Sequence, residues 1–162
     1  MRKVQPGRYT AKIDGPFVVF VIGMRVNKVY RLDKWIPVFF AMPPMLKTLQ
    51  EHPQKGFLGG ESFLYWRGPA LVQYWRSFED LERFAGEPSD PHRKAWQRFN
   101  KAVGTDGTVG IFHETYKVEA GSYECVYGNM PVFGLAAATT HVPAVGQLDT
   151  ARTRIERLRA PS

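Results

Sequence analysis

The stretch Phe17-Val-Val-Phe-Val-Ile-Gly-Met24 is a near-continuous apolar run, rich in β-branched and aromatic residues. It is less than half the roughly 20 residues a helix needs to cross a bilayer, so it reads as a strand buried on both faces and not as a membrane segment. A strand of that kind needs a layer against each side, which commits the chain to a layered fold around it. Gly23 inside the run marks a close backbone approach or a bulge.

The rest of the chain supplies the layers. Asp33 to His52 predicts a helical region, with Trp35, Phe39, Met42, Met45, Leu46 and Leu49 at spacings of three or four. Pro43-Pro44 is expected to break or kink it, with Pro44 opening a second segment. Glu61–Arg67 and Ala70–Arg76 read as strands of a hairpin turning at Gly68-Pro69. Ser77-Phe-Glu-Asp80 is a variant capping box that starts a helix running to about Ala85. A second helix is expected from Asp90-Pro91, with His92, Trp96, Phe99 and Val103 as its apolar stripe and Gly104 as its end. Thr108 to Val118 alternates as the last long strand, followed by a short one at Tyr123–Tyr127.

The order β, α, β, β, α, β is the ferredoxin-like arrangement, an α+β fold whose antiparallel sheet carries helices on one face. The other face has to be buried by something, and large apolar groups on every strand argue for a second copy, a homodimer closing a dimeric α+β barrel.

Composition narrows the setting. The 162 residues fit one domain, and 44% hydrophobic with 23% charged residues is too apolar for disorder. Cys125 is the single cysteine, so no internal disulfide forms, and a reducing, cytoplasmic setting is expected. No apolar stretch follows the early basic residues, and no signal peptide is expected. The net charge of +7 is concentrated at the ends: residues 1–13 carry +4, residues 147–162 carry +2, and the body carries +1. The expected layout is therefore a basic lead (1–13), a domain (14–146) and a basic tail (147–162), possessing no shaped nucleic-acid groove in the body. His52, His92, His113 and His141 are far apart and there is no CxxC, which leaves no metal-site pattern. Neither a GxGxxG nor a GxxxxGK[ST] loop occurs, so nucleotide cofactors in their usual binding mode are not expected.

Several blocks carry a family resemblance. Gly110-Ile-Phe-His-Glu-Thr-Tyr116, Gly121-Ser-Tyr-Glu124, Tyr127-Gly-Asn-Met-Pro131 and Gly134-Leu135 are joined by Phe57-Leu-Gly-Gly60, Tyr65-Trp66 and Trp75-Arg-Ser-Phe-Glu-Asp-Leu81. Over about residues 15–143 the chain resembles the monooxygenase-like family named after a fungal protein of fumagillin biosynthesis. That resemblance implies the dimeric α+β barrel superfamily, which includes cofactor-free monooxygenases as well as haem proteins such as aldoxime dehydratases and chlorite dismutases. It implies oxygenation of a small hydrophobic, aromatic or polyketide-like substrate without flavin or NAD. The alternatives are a haem protein with His113 or His141 as axial ligand, and a non-enzymatic module that binds a hydrophobic ligand.

His113 is the leading candidate residue. Alternation puts it on one face with Val109, Ile111 and Thr115, and puts Phe112, Glu114 and Tyr116 on the other. One face meets the helices and the other lines the barrel interior; alternation alone does not say which. Facing the barrel interior, His113 serves as general base or haem ligand, since neutral imidazole does both near neutral pH. As a core histidine it bonds a neighbouring strand or Glu61. In the opposite arrangement Glu114 and Tyr116 enter the cavity; otherwise they form an exposed or ion-paired edge of the interface. Arg25 and Arg67, near strand ends, hold a substrate anion or enolate, or pair with a carboxylate. Tyr65, Trp66, Tyr74 and Trp75 are core and interface bulk, the first three also suiting a flat substrate. Asn129 is a substrate contact or a turn residue, and Cys125 a small buried hydrophobe.

Overall fold

A computed structural model of the chain describes residues 2–86, 97 and 100–159. The apolar run forms β2 (Phe17–Val26), at the inside of a four-stranded antiparallel sheet with β3 (Phe57–Tyr65), β4 (Gly68–Trp75) and β5 (Val109–Val118), in the order β3-β4-β2-β5. With α1 (Leu32–Glu51) and α2 (Phe78–Gly86) this is the α+β, ferredoxin-like arrangement on which the dimeric α+β barrel is built. Val18, Ile22, Met24 and Val26 of β2 are buried on the helix side. There Met24, Val26 and Val109 pack with Val38, and Val18 and Trp75 with Leu49 and Leu81.

Three expectations about local structure change. Helix α1 is continuous through Pro37, Pro43 and Pro44. Each proline removes one backbone donor, yet Val38, Met45 and Leu49 are buried on both sides of the Pro43-Pro44 step, and this packing holds the helix together across it. The hairpin turns at Trp66-Arg67, not at Gly68-Pro69: Tyr65 pairs with Gly68, and the two turn residues have φ of +45° and +71°. Gly68 is needed for close approach, since a Cβ there would lie 2.0 Å from the Met24 carbonyl oxygen. Pro69 lies just beyond the last β2–β4 pair, Gly23 with Ala70. Ser77 does cap α2, its Oγ accepting from the Asp80 N–H at 3.1 Å. Of the next expected helix, Asp90, Pro91, His92, Trp96 and Phe99 lie outside the described residues, while residues 100–103 are helical and Gly104 follows with φ +60°.

The largest difference is at the termini. Residues expected as a basic lead form β1 (Gln5–Lys12), the middle strand of a second antiparallel sheet between β6 (Tyr127–Met130) and β7 (Thr140–Pro143). Thr10 and Ala11 are 2% and 0% exposed. The short strand expected at Tyr123–Tyr127 begins only at Tyr127. Before it, side chains serve the β1 region instead: the Tyr123 hydroxyl accepts from the Ile13 N–H at 2.9 Å and Cys125 Sγ from the Ala11 N–H at 3.4 Å. This sheet and the short helix α3 (Gly134–Ala138) cover one end of the large sheet's other face, burying Phe17 with Ala11, Leu135 and Ala136. The basic tail is also docked. Within α4 (Ala151–Arg159), Arg154 is 3% exposed and ion-paired with Glu124, and its Nη1 donates to the Leu148 and Asp149 carbonyls at 2.8 Å each.

Candidate active site

A cavity of about 260 Å³ lies between the sheet and the two helices. Its floor is Phe20 and Ile22 of β2; His113 and Thr115 of β5 stand on one side and Gln73 of β4 on the other, with Met42, Met45 and Leu46 of α1 and Phe78 and Phe84 of α2 above. The register explains the grouping. Ile22 pairs with His113, and Phe20 with both Thr115 and Gln73, so all five side chains rise from the same face. His113 therefore faces the helices and not the barrel interior where its role was expected, and the space it borders lies between sheet and helices. The volume is just below the ~300–1,000 Å³ usual for small-molecule sites and suits a one- or two-ring molecule.

The His113 ring lies 5.7 Å from Phe20, tilted by 39°. Its expected partner Glu61 is on the opposite face of the sheet, in register with Val72, where its Oε1 takes a hydrogen bond from Arg2 at 2.6 Å. The Glu61 version of a core histidine is thus excluded by register. Among the described residues His113 has no hydrogen-bond partner, and on the edge strand it is open to solvent.

Glu114 and Tyr116 share the other face of β5 and line no pocket with His113. The Tyr116 hydroxyl donates to Glu114 Oε2 at 2.5 Å, and this bond to a carboxylate pushes the phenol's pKa upward. Both lie on the face away from the helices and are exposed in the single chain. Arg25 is on that same face, its guanidinium 4.4 Å above the Trp66 ring and bonded to Asn27. Arg67 is exposed in the turn. Neither arginine lines the cavity, and among the described residues its lining holds no lysine or arginine.

The expected substrate contacts also lie elsewhere. Tyr65 and Trp66 are at the hairpin tip, 60% and 64% exposed. Tyr74 is half-buried beneath the second sheet, where burial raises its phenol pKa. Asn129, at φ +52°, accepts the Gly7 N–H at 2.9 Å through its side chain, a bond that holds the irregular β1–β6 pairing. His141 stacks on Tyr9 at 4.2 Å in the second sheet, away from the cavity. No group of three metal-ligating side chains occurs among the described residues.

Sequence reasoning missed Gln73. It is 5% exposed, and its Oε1 accepts the indole N–H of the fully buried Trp75 at 3.0 Å. A signal was present: in Ala70-Leu-Val-Gln-Tyr-Trp75 it is the one polar group on the buried parity set by Leu71 and Trp75.

Comparison with known proteins agrees with this architecture. A family model described as monooxygenase af470-like matches residues 17–135. The curated protein Monooxygenase af470 of Aspergillus fumigatus is 30% identical over 151 residues, covering 80% of this chain and 53% of its own length, so the chain spans about half of that relative. Among solved structures, the aldoxime dehydratase OxdRE in complex with butyraldoxime aligns with a TM-score of 0.60 at 14% identity, over 95% of this chain and 44% of that one. SnoaB, a cofactor-independent oxygenase from Streptomyces nogalater, aligns with a TM-score of 0.42 at 13% identity, over 62% of this chain and 90% of that one. At 14% identity the likeness to the aldoxime dehydratase is one of fold.

Proposed function

We propose, starting from the fact that the chain belongs to the monooxygenase af470-like family, that it oxygenates a small, neutral, hydrophobic or aromatic substrate in the cavity between sheet and helices. The observation that carries this is His113 standing beside a mostly apolar, ring-sized cavity. An imidazole there takes a proton from an activated C–H held against the apolar walls.

The reaction needs no separate reductant. For an activated methylene, R2CH2 and O2 give R2C=O and H2O; the substrate carbanion supplies the electrons, one oxygen atom enters the carbonyl and the other leaves as water. The protein contributes the base, the floor of Phe20 and Ile22, and walls in which, among the described residues, Glu82 of α2 is the charged group. The haem alternative uses the same imidazole. It is less well supported because no described group accepts a second ring N–H, the usual anchor of a metal-bound histidine.

Oxygen uptake with a panel of one- and two-ring ketones and phenols tests the reading. His113→Ala is expected to lower the rate by about 100-fold or more while substrate still binds. Full activity in that variant sinks the assignment of the base, and a Soret band after addition of hemin, lost in the same variant, shifts the reading to haem.

We also propose that the protein works as a homodimer. Val21, Gly23, Val72, Phe63 and Phe112 form an apolar strip on the sheet face that the second sheet leaves uncovered, and a second copy buries it.

A further inference from the structure

We propose that Gln73 is the hydrogen-bond donor that receives the substrate's carbonyl or enolate oxygen, with Trp75 as the residue that positions it; this rests on the cavity being the substrate site. A glutamine amide has one acceptor and two donor hydrogens. The Trp75 indole N–H occupies Gln73 Oε1 at 3.0 Å, so the oxygen is turned to the indole and Nε2 away from it. Among the described residues nothing accepts from Nε2, although Gln73 is only 5% exposed and lines the cavity. Nε2 is not sealed from solvent but opens on the cavity, where a ligand oxygen takes the place of water as its acceptor.

The surroundings hold the amide in place. Trp75 is fully buried, with its ring against Phe57 at 5.4 Å and Phe84 at 5.5 Å. Gly60, opposite Gln73 on β3, leaves the space: a Cβ there would lie 3.3 Å from Gln73 Cα and 2.8 Å from the Val72 carbonyl oxygen. Across β2 stands Thr115, and His113 lies two residues along β5 from it, roughly 12 Å from Gln73 by two strand spacings and that offset. A flat ligand on Phe20 thus meets a base at one end and a fixed donor at the other. Among the described residues the walls hold no cation, and this amide is the group that stabilises negative charge as the proton leaves.

The test uses 1-tetralone and tetralin, two-ring molecules that differ by one carbonyl, titrated against the full chain by tryptophan fluorescence. Wild type is expected to prefer the ketone. In Gln73→Leu and in the near-isosteric Gln73→Glu, that preference falls about fivefold to tenfold while tetralin affinity stays within about twofold. In Trp75→Phe the preference falls and tetralin binding persists, which separates positioning from a packing role. An unchanged preference in both Gln73 variants overturns the proposal with the cavity reading intact. If Leu46→Trp, which fills the cavity, leaves binding of both probes unchanged, the cavity reading fails and this inference with it.

Discussion

Single side chains in the second sheet carry a pH signature of their own. Burial raises the phenol pKa of Tyr74, Tyr123 and Tyr127, and all three pack in the cluster around Ala11 and Leu135. A pKa higher in the folded than in the unfolded chain favours folding fully below the ordinary value of 10.0, and that contribution is lost as pH rises above it. Thermal stability is therefore expected to drop above about pH 10, with tyrosinate absorbance appearing together with unfolding. Tyr74→Phe should weaken the dependence; a set of phenols that titrates freely in the folded chain contradicts it. These positions show the limits of reading residues one at a time. Tyr74 and Asn129 have the chemistry of ligand contacts, but their partners lie 50 or more positions away, at Cys125 and Gly7. By contrast, the pairing of His113 with Thr115 was legible from alternation alone, because strand parity is a local property.

Among the elements, the β3–β4 hairpin stores backbone strain. Both residues of its turn, Trp66 and Arg67, have positive φ without being glycine, a conformation that costs about 1 kcal/mol or more per residue. Trp66 has a compensating contact in the Arg25 guanidinium at 4.4 Å. For Arg67 no side-chain hydrogen bond or ion pair among the described residues offsets it. Arg67→Gly is accordingly expected to stabilise the protein by about 1 kcal/mol in urea unfolding, and Trp66→Gly to gain less because it loses the stack. The turn was misread as Gly68-Pro69 since glycine and proline are the usual punctuation. Here Gly68 serves the close passage of β4 past Met24. Helix α1 shows the same competition in reverse: two adjacent prolines are strong local stop signals, and burial of Met45 and Leu49 beyond them outweighs those signals.

At the level of the molecule, the ferredoxin-like order of strands and helices followed from hydrophobic pattern, whereas the second sheet did not. Gln5-Pro-Gly-Arg-Tyr-Thr-Ala-Lys12 has no apolar run, and it is a strand only because β6 and β7 lie on both sides of it. Charge counting therefore misplaced Arg8 and Arg154, one paired with Asp149 at 2.7 Å and the other buried against Glu124. The homodimer proposal makes a prediction at this scale. Gly23 lets the Phe112 ring lie flat on β2, since a Cβ there would come within 2.7 Å of it, and Phe112 then presents an apolar surface on the uncovered face. Phe112→Glu is expected to convert a dimer to a monomer in sedimentation equilibrium with little change in the helix-side cavity. A wild type that sediments as a monomer removes the proposal.

The central position of β1 also sets an order of events during synthesis. Its Thr10 hydroxyl bonds the Cys125 carbonyl at a separation of 115 residues, and its Gly7 N–H bonds Asn129 at 122. β1 is made before the large sheet, and its neighbours β6 and β7 follow it by more than 100 residues, while the contiguous hairpin of β3 and β4 closes early. The small sheet thus closes after that hairpin. Until then β1 has open edges on both sides, and it is this strand that a chaperone has most to protect.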